Sequence, residues 1–288
     1  MKAVGLVKSI ANAVKYIALH NKKGLFGIVI LLFVGSIAIL ADKLAPYDPY
    51  AIVAPPFQPP SPEHPLGTND IGQDILSEVI YGARVSLYVG LTAASISTIL
   101  GLVVGLIAGY FGGYVDEAIS GIIDIMLAIP SLPLIIILAA YLGPSLNNII
   151  LVLVIFGWVG VARVIRSQTL SIRERTYVEA SKAVGSSSFG IIFRHILPSV
   201  APVAVAYVIL GATSAILTEA SLSFLGLGDP TAKSWGQILY HAQARNALYL
   251  GLWLWVFVPG LFIALVGAGF TLLGMAIEDY VNPKLRYA

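Results

Sequence analysis

Tyr177-Val178-Glu179-Ala180-Ser181-Lys182-Ala183-Val184-Gly185, running on to Phe193-Arg194-His195-Ile196-Leu197-Pro198, is a polar, basic, helix-forming island between long apolar runs. It ends at a proline where hydrophobic sequence resumes, as a surface device on a membrane protein would. From Ser171 to Val184 the pattern is helical, with Ile172, Tyr177, Ala180, Ala183 and Val184 on an apolar side. Arg173, Glu174, Arg175 and Lys182 fall on a polar side. Gly185 can end such a helix, because glycine takes the left-handed C′ conformation at little cost. Ser186, Ser187 or Ser188 can then cap a second short helix through Arg194. A pair of short helices meeting at Gly185 could pass force from a soluble partner into the membrane. It could equally lie on lipid headgroups as an interfacial helix, and on physics alone both readings stand.

The surrounding composition places the island. A soluble domain carries roughly 25% charged residues, whereas this chain of 288 has 11%, with 58% hydrophobic residues and a mean hydropathy of +0.88. Several apolar runs approach or exceed the roughly 20 residues a spanning helix needs, so lipid is the solvent for most of the chain. Cysteine is absent, which excludes structural disulfides and thiolate metal sites. Residues 1–23 hold five lysines, and the apolar run 24–41 lacks a small-x-small cleavage pattern leading into a soluble domain. It reads as a retained first span rather than a signal peptide.

Prolines at 46, 49, 55, 56, 59, 60, 62 and 65 forbid regular helix in the following segment, so 42–84 is expected to be a loop, with a short amphipathic helix over 70–82 at the membrane surface. Five more spans are expected within a core of 85–288: 85–110, 118–142, 146–161, 200–225 and 250–277. Gly101, Gly105 and Gly109 put a small residue at every fourth position of the second span, which lets another helix approach closely. Pro130 and Pro133 should kink the third, and Pro259-Gly260 should interrupt the sixth.

Cytoplasmic loops are enriched in Lys and Arg. With the N-terminus inside, six spans put 13 of the 17 basic residues on the cytoplasmic side and leave Lys43, Arg84, Lys233 and Arg245 outside. Both termini are therefore expected in the cytoplasm, with the island (loop 171–198) between spans four and five on the same side. Asp124 and Glu219 are ionisable groups at membrane depth, costing about 2.5 to 3.5 kcal/mol each by insertion scales. With Pro130, whose break needs protein or water to satisfy freed carbonyls, they are candidates for a substrate path. His20, His64, His195 and His241 show no ligand spacing, so no metal site is expected. Trp235, Trp253 and Trp255 read as an aromatic belt at the outer boundary. Nothing resembles a phosphate-binding glycine loop, and no catalytic cluster is apparent.

Glu179-Ala180-Ser181, Gly185 after three residues, and Leu197-Pro198 resemble the EAA loop of ATP-binding-cassette importer permeases. His195 stands two places before the Leu197-Pro198 pair, where the general consensus has isoleucine, and this matches the variant usual in the dipeptide and oligopeptide branch. His64 to Asp74 and Tyr81 to Leu87 resemble the start of the C-type subunit of that branch, and Glu219 to Gly228 with Ser234-Trp235-Gly236 its end. Gln73 departs from the family's usual arginine. The resemblance implies an all-α membrane protein of six spans with a cytoplasmic coupling-helix loop, in the plasma membrane of its cell. It implies docking of ATPase subunits on Glu179, Ala180, Ser181, Gly185, His195 and Pro198. A related second permease, two ATPases and an extracytoplasmic solute-binding protein are the implied partners, with ATP and magnesium on the ATPases and no cofactor on this chain. Peptides, nickel complexes and sugars all remain open as cargo. The competing readings are an ion-coupled secondary transporter using Asp124 and Glu219, and a membrane enzyme.

Overall fold

The computed structural model describes residues 21–281, which are helical apart from their loops and one isolated bridge between Thr68 and Asp74. The expectations for the tail lysines before Asn21 and for Lys284 and Arg286 lie outside these residues. Helix α1 (Lys22–Ile39) is capped by Asn21, whose side chain accepts from Gly24 N–H. Its exposed face carries Leu25, Phe26, Val29, Leu32 and Phe33. Such a face is stable against lipid or another apolar surface rather than against water.

Helix α2 (Ile75–Phe111) is a single 37-residue rod. The expected boundary between a surface helix over 70–82 and a span from 85 is absent. Asp74 starts the helix by accepting from Ser77 N–H and Oγ at 2.8 and 2.7 Å, and no breaker follows until Gly112. At 1.5 Å per residue the rod is about 55 Å long, well beyond the roughly 30 Å hydrocarbon layer, so one end projects into water.

A left-handed Gly112 (φ 67°) turns the chain into α3 (Gly113–Ala128). An 89° bend at Ile129 and Pro130 then leads into α4 (Ser131–Leu142). Pro130 breaks the span as expected, but Pro133 does not kink it. Pro133 sits in the first turn of α4, where its missing N–H would have had no acceptor.

Helix α5 (Leu146–Arg173) continues twelve residues past the expected 161. Helix α6 (Thr176–Ala183) and a short turn (Ser188–Ile191) follow, then a π-helical turn (Ile192–Ile196) runs directly into α7 (Leu197–Phe224). Helix α8 (Trp235–Ala244) is short, and α9 (Leu254–Val281) passes through Pro259 without the expected interruption. Among the described residues, five helices are long and apolar enough to cross a membrane, or six spans if the bent pair α3–α4 counts as one.

The glycine stripe is where α2 and α5 meet. A Cβ on Gly101 would lie 2.6 Å from Trp158 O, one on Gly105 2.7 Å from Ala162 O, and one on Gly109 2.6 Å from Thr169 Cβ. These backbones touch because no side chain intervenes. Helix α1 packs on α9 in the same way through Gly27, whose Cβ would sit 2.8 Å from Gly269 O.

Two of the three tryptophans expected in a boundary belt are in the core. Trp235 and Trp255 are 0% and 1% exposed, and only Trp253 faces out. Trp235 Nε1 donates to Val79 O at 2.9 Å and its ring centre lies 5.6 Å from that of Phe262, so the start of α8 is held between α2 and α9 rather than anchored at the interface.

Candidate functional site

The island folds as two short helices, closed by local chemistry. After α5 ends, Arg175 is extended and Arg175 N–H returns to Ile172 O at 3.1 Å. Helix α6 finishes in a Schellman motif: Gly185 N–H donates to Lys182 O at 2.9 Å and Ser186 N–H to Ser181 O at 3.1 Å, with Gly185 at φ 87°. Of the three candidate serines it is Ser187 that caps the next turn, accepting from Gly190 N–H at 3.2 Å. The wide π turn falls just before Pro198, which has no N–H to give Arg194 O. Extra residues of this kind recur at functional sites.

The buried side of α6 is not the expected one. Val178 is 0% exposed and packs in one cluster with Tyr110 of α2, Ile172 of α5, Ile191, Ile192 and Ile196 of the turns, and Val200 of α7. Tyr177, Ala180, Ala183 and Val184 face outward instead. The helix begins at Thr176 rather than Ser171, and this shift rotates its faces relative to the earlier pattern. Sequence reasoning missed Val178, though its β-branched side chain amid polar neighbours is the feature that could have found it.

Glu179, Ala180, Gly185 and Pro198 are all exposed, and nothing lies within 4 Å of where a Cβ on Gly185 would be. Ser181 and His195 are half-buried beneath them. Ser181 Oγ donates to Ser186 Oγ at 2.9 Å and lies 3.4 Å from His195 Nε2, and the His195 ring centre is 5.9 Å from that of Tyr177. Ser181 and His195 therefore brace the knob that carries Glu179, Ala180 and Gly185, whereas Pro198 is exposed in the first turn of α7. Phe189 and Phe193 stack nearby, 73% and 58% exposed.

The knob's foot is tied to the turn after α2. Arg173 donates to Tyr110 O at 3.1 Å, Lys182 Nζ lies 5.5 Å from the centre of the Tyr110 ring, and Arg166 pairs through two nitrogens with Asp116 of α3. Helix α6 is therefore joined to α2, α5 and α7 by side chains in direct contact, and α5 in turn to α3.

The three candidate path residues are not brought together. Asp124 and Pro130 are exposed on α3 and at the bend, whereas Glu219 of α7 is 1% exposed. Ser223 donates to Glu219 Oε1 at 2.7 Å, and Oε2 has no partner among the described residues. None of the three lines the 310 Å³ cavity between α2, α4, α5 and α7, which is walled by Ser97, Thr98, Ser131, Tyr207, Ser214 and Thr218 among others. Hydroxyls scattered in apolar helices were the available clue.

At the opposite end of the bundle, the proline-rich loop is pinned onto α2 and α8. Lys233 Nζ lies 2.6 Å from both Glu78 Oε1 and Gln73 Oε1, and Asn69 Nδ2 donates to the same two oxygens at 2.9 Å. Buried Gln73 is thus an acceptor for Lys233, which supplies the cation at this point. His64 Nδ1 lies 3.0 Å from Asp74 Oδ1, and Arg245 pairs with Asp70 at 2.8 Å.

Residues 101–287 match the family model of the binding-protein-dependent transport system inner membrane component, and residues 18–71 that of the N-terminal TM domain of oligopeptide transport permease C. The dipeptide transport system permease protein DppC of Bacillus subtilis is 37% identical over 271 residues, covering 92% of this chain and 83% of that protein. Its namesake from Alkalihalophilus pseudofirmus is 42% identical over 270 residues, covering 92% and 87%. The oligopeptide transport system permease protein OppC of Bacillus subtilis is 35% identical over 269 residues, also covering 92% and 87%.

Proposed function

This chain belongs to the family of binding-protein-dependent transport system inner membrane components, the permease subunits of ATP-binding-cassette importers, and we propose that its cargo is dipeptides or oligopeptides. The names carried by its relatives support that cargo class. ATP hydrolysis belongs to separate ATPase subunits. The partners are a related second permease, two ATPases and an extracytoplasmic solute-binding protein. The basic end of the bundle faces the cytoplasm of a plasma membrane, both termini lie on that side, and the proline-rich loop lies outside. The excess of Lys and Arg at that end supports this orientation.

One observation carries the coupling role: α6 presents Glu179, Ala180 and Gly185 to solvent while Val178 beneath them is locked into the core shared by α2, α5 and α7. A helix fixed from below and bare above fits a groove on a soluble partner. Shape fit is the better basis for a contact that survives cycling, since exposed salt bridges are worth only about 0 to 1 kcal/mol each. In the reconstituted importer, Gly185→Asp or Glu179→Lys is expected to abolish substrate-stimulated ATP hydrolysis. Normal stimulation in both would remove α6 as the dock.

The ion-coupled alternative has no support from the family. Asp124 and Glu219 lie on different helices, and neither lines the 310 Å³ cavity.

A further inference from the structure

A groove of 450 Å³ runs along the outside of the bundle between the last three turns of α2 and the segment 189–197. Leu102, Leu106 and Phe111 wall one side and Phe189, Phe193 and Leu197 the other, and every residue that borders it is leucine, valine, isoleucine or phenylalanine. Phe111 is 54% exposed, and Val103, Ile107, Phe189 and Phe193 are exposed beside it, so the groove is open sideways rather than enclosed. Glu179, Ala180 and Gly185 of the knob do not border it. It is a separate surface, and an apolar one calls for an apolar occupant.

Two observations fix the kind of occupant. The first is length. From Leu102 to Phe111 α2 rises about 14 Å, the depth of one leaflet of a hydrocarbon layer roughly 30 Å thick. A spanning helix of another subunit would run past Leu102 for the full thickness, and a soluble ATPase would not reach so deep. The second is charge at one end only. Phe111, the last residue of α2, meets Tyr110 edge-on with ring centres 5.3 Å apart, and Lys182 Nζ lies 5.5 Å from the centre of that Tyr110 ring. Arg194 follows Phe193 in the π turn. Both cations are exposed, and among the described residues neither forms an ion pair. Toward the deep end, α2 carries no charged residue between Arg84 and Phe111.

Taking only the orientation from the reading above, we propose that this groove seats one acyl chain of an anionic phospholipid from the cytoplasmic leaflet, with Lys182 and Arg194 on its phosphate. Ile192 borders the groove and also packs with Val178 beneath α6. The acyl chain therefore covers the outer side of the support on which α6 is seated.

Photolabelling of the complete importer in nanodiscs of phosphatidylcholine tests this. Trace phosphatidylglycerol or trace phosphatidylcholine is added, each with a diazirine near the free end of one acyl chain, and adducts on this chain are mapped by peptide mass. The phosphatidylglycerol probe should mark the groove around Leu102 and Val103 at least about fivefold more than the phosphatidylcholine probe, the preference that two cations beside an anionic headgroup supply. Lys182→Gln combined with Arg194→Gln should bring the two probes within about twofold of each other. Ile107→Trp, which puts a larger ring into the groove, should remove most groove adducts and leave those on the exposed face of α1 unchanged; Val103→Phe serves if that variant does not assemble. Groove adducts no denser than those on α1, equal labelling by the two probes in the unmodified importer, or groove labelling that the larger ring leaves unchanged would each overturn the proposal. So would adducts on α1 with none in the groove, since another subunit would then cover it. Adduct positions depend neither on the cargo nor on which side is cytoplasmic, so these outcomes leave the importer reading untouched. Absence of ATP-dependent uptake of alanyl-alanine by the unmodified importer in vesicles would count against that reading alone.

Discussion

Gly105 shows how much a single hydrogen in place of a methyl decides in this bundle. A Cβ there would stand 2.7 Å from Ala162 O and 2.8 Å from Ile165 Cβ, both on the facing helix. Gly105→Ala should therefore destabilise the fold by about 1 to 3 kcal/mol, the usual cost of overpacking, seen as a lower unfolding temperature of the purified chain. Gly121 is the contrast, a helical glycine of α3 with nothing within 4 Å of its missing Cβ. Gly121→Ala should be neutral or stabilise by up to about 1 kcal/mol. His241 of α8 gives a pH dependence at the same scale. Burial pushes its imidazole below the ordinary histidine range; nearby Asp70 opposes this, and Lys233 and Arg245 add to it. The neutral ring also lies 3.3 Å from Gln237 Nε2. A depressed folded value means the unfolded chain takes up the proton first, so this contribution is complete above about pH 6.5 and is lost as pH falls through the folded value. Unfolding temperature measured from pH 7.5 to 5.5 should decline, and His241→Gln should flatten that part of the decline.

Among the elements, local chemistry was legible and orientation was not. Gly185, Ser187, the glycine stripe and the break at Pro130 all act through a residue's own backbone preferences, so they could be read in place. The buried face of α6 could not, because it depends on where α5 ends, and α5 runs to Arg173 for reasons of packing against α2. Trp235 and Trp255 resemble belt residues by composition, and only the tertiary position of α8 buries them. The same reasoning separates two roles within α6. Val178→Ala removes two methyl groups from a fully buried side chain and should cost about 1 to 3 kcal/mol, leaving the docking surface intact. ATPases should still co-purify with that variant, while substrate stimulation of ATP hydrolysis falls several-fold because the helix is no longer rigidly seated. Glu179→Lys changes only the outer face. It should weaken co-purification with little effect on the unfolding temperature of this chain.

Across the whole molecule, the end opposite the knob is held by contacts that no sequence pattern relates. Lys233 and Glu78 are 155 positions apart, and their side chains are 15% and 4% exposed. They join the proline-rich loop, the start of α2 and the approach to α8, with Asn69 and Gln73 completing the network. Breaking a buried pair from one side leaves an uncompensated charge, which typically costs 3 to 5 kcal/mol, whereas replacing both members by neutral groups is often close to neutral. Lys233→Met alone should therefore lower the unfolding temperature strongly, Glu78→Gln alone should do the same, and the double variant should recover most of the loss. Equal and additive losses would mean that the two side chains contribute independently, and that the loop is held by the His64 to Asp74 and Arg245 to Asp70 contacts instead. If the clamp is the organising contact, the single variants should also expose the loop to protease between Asp48 and Asp70, and the double variant should restore its protection. This end is then a fixed rim, held independently of α6, which Val178 and His195 brace at the other end of the bundle.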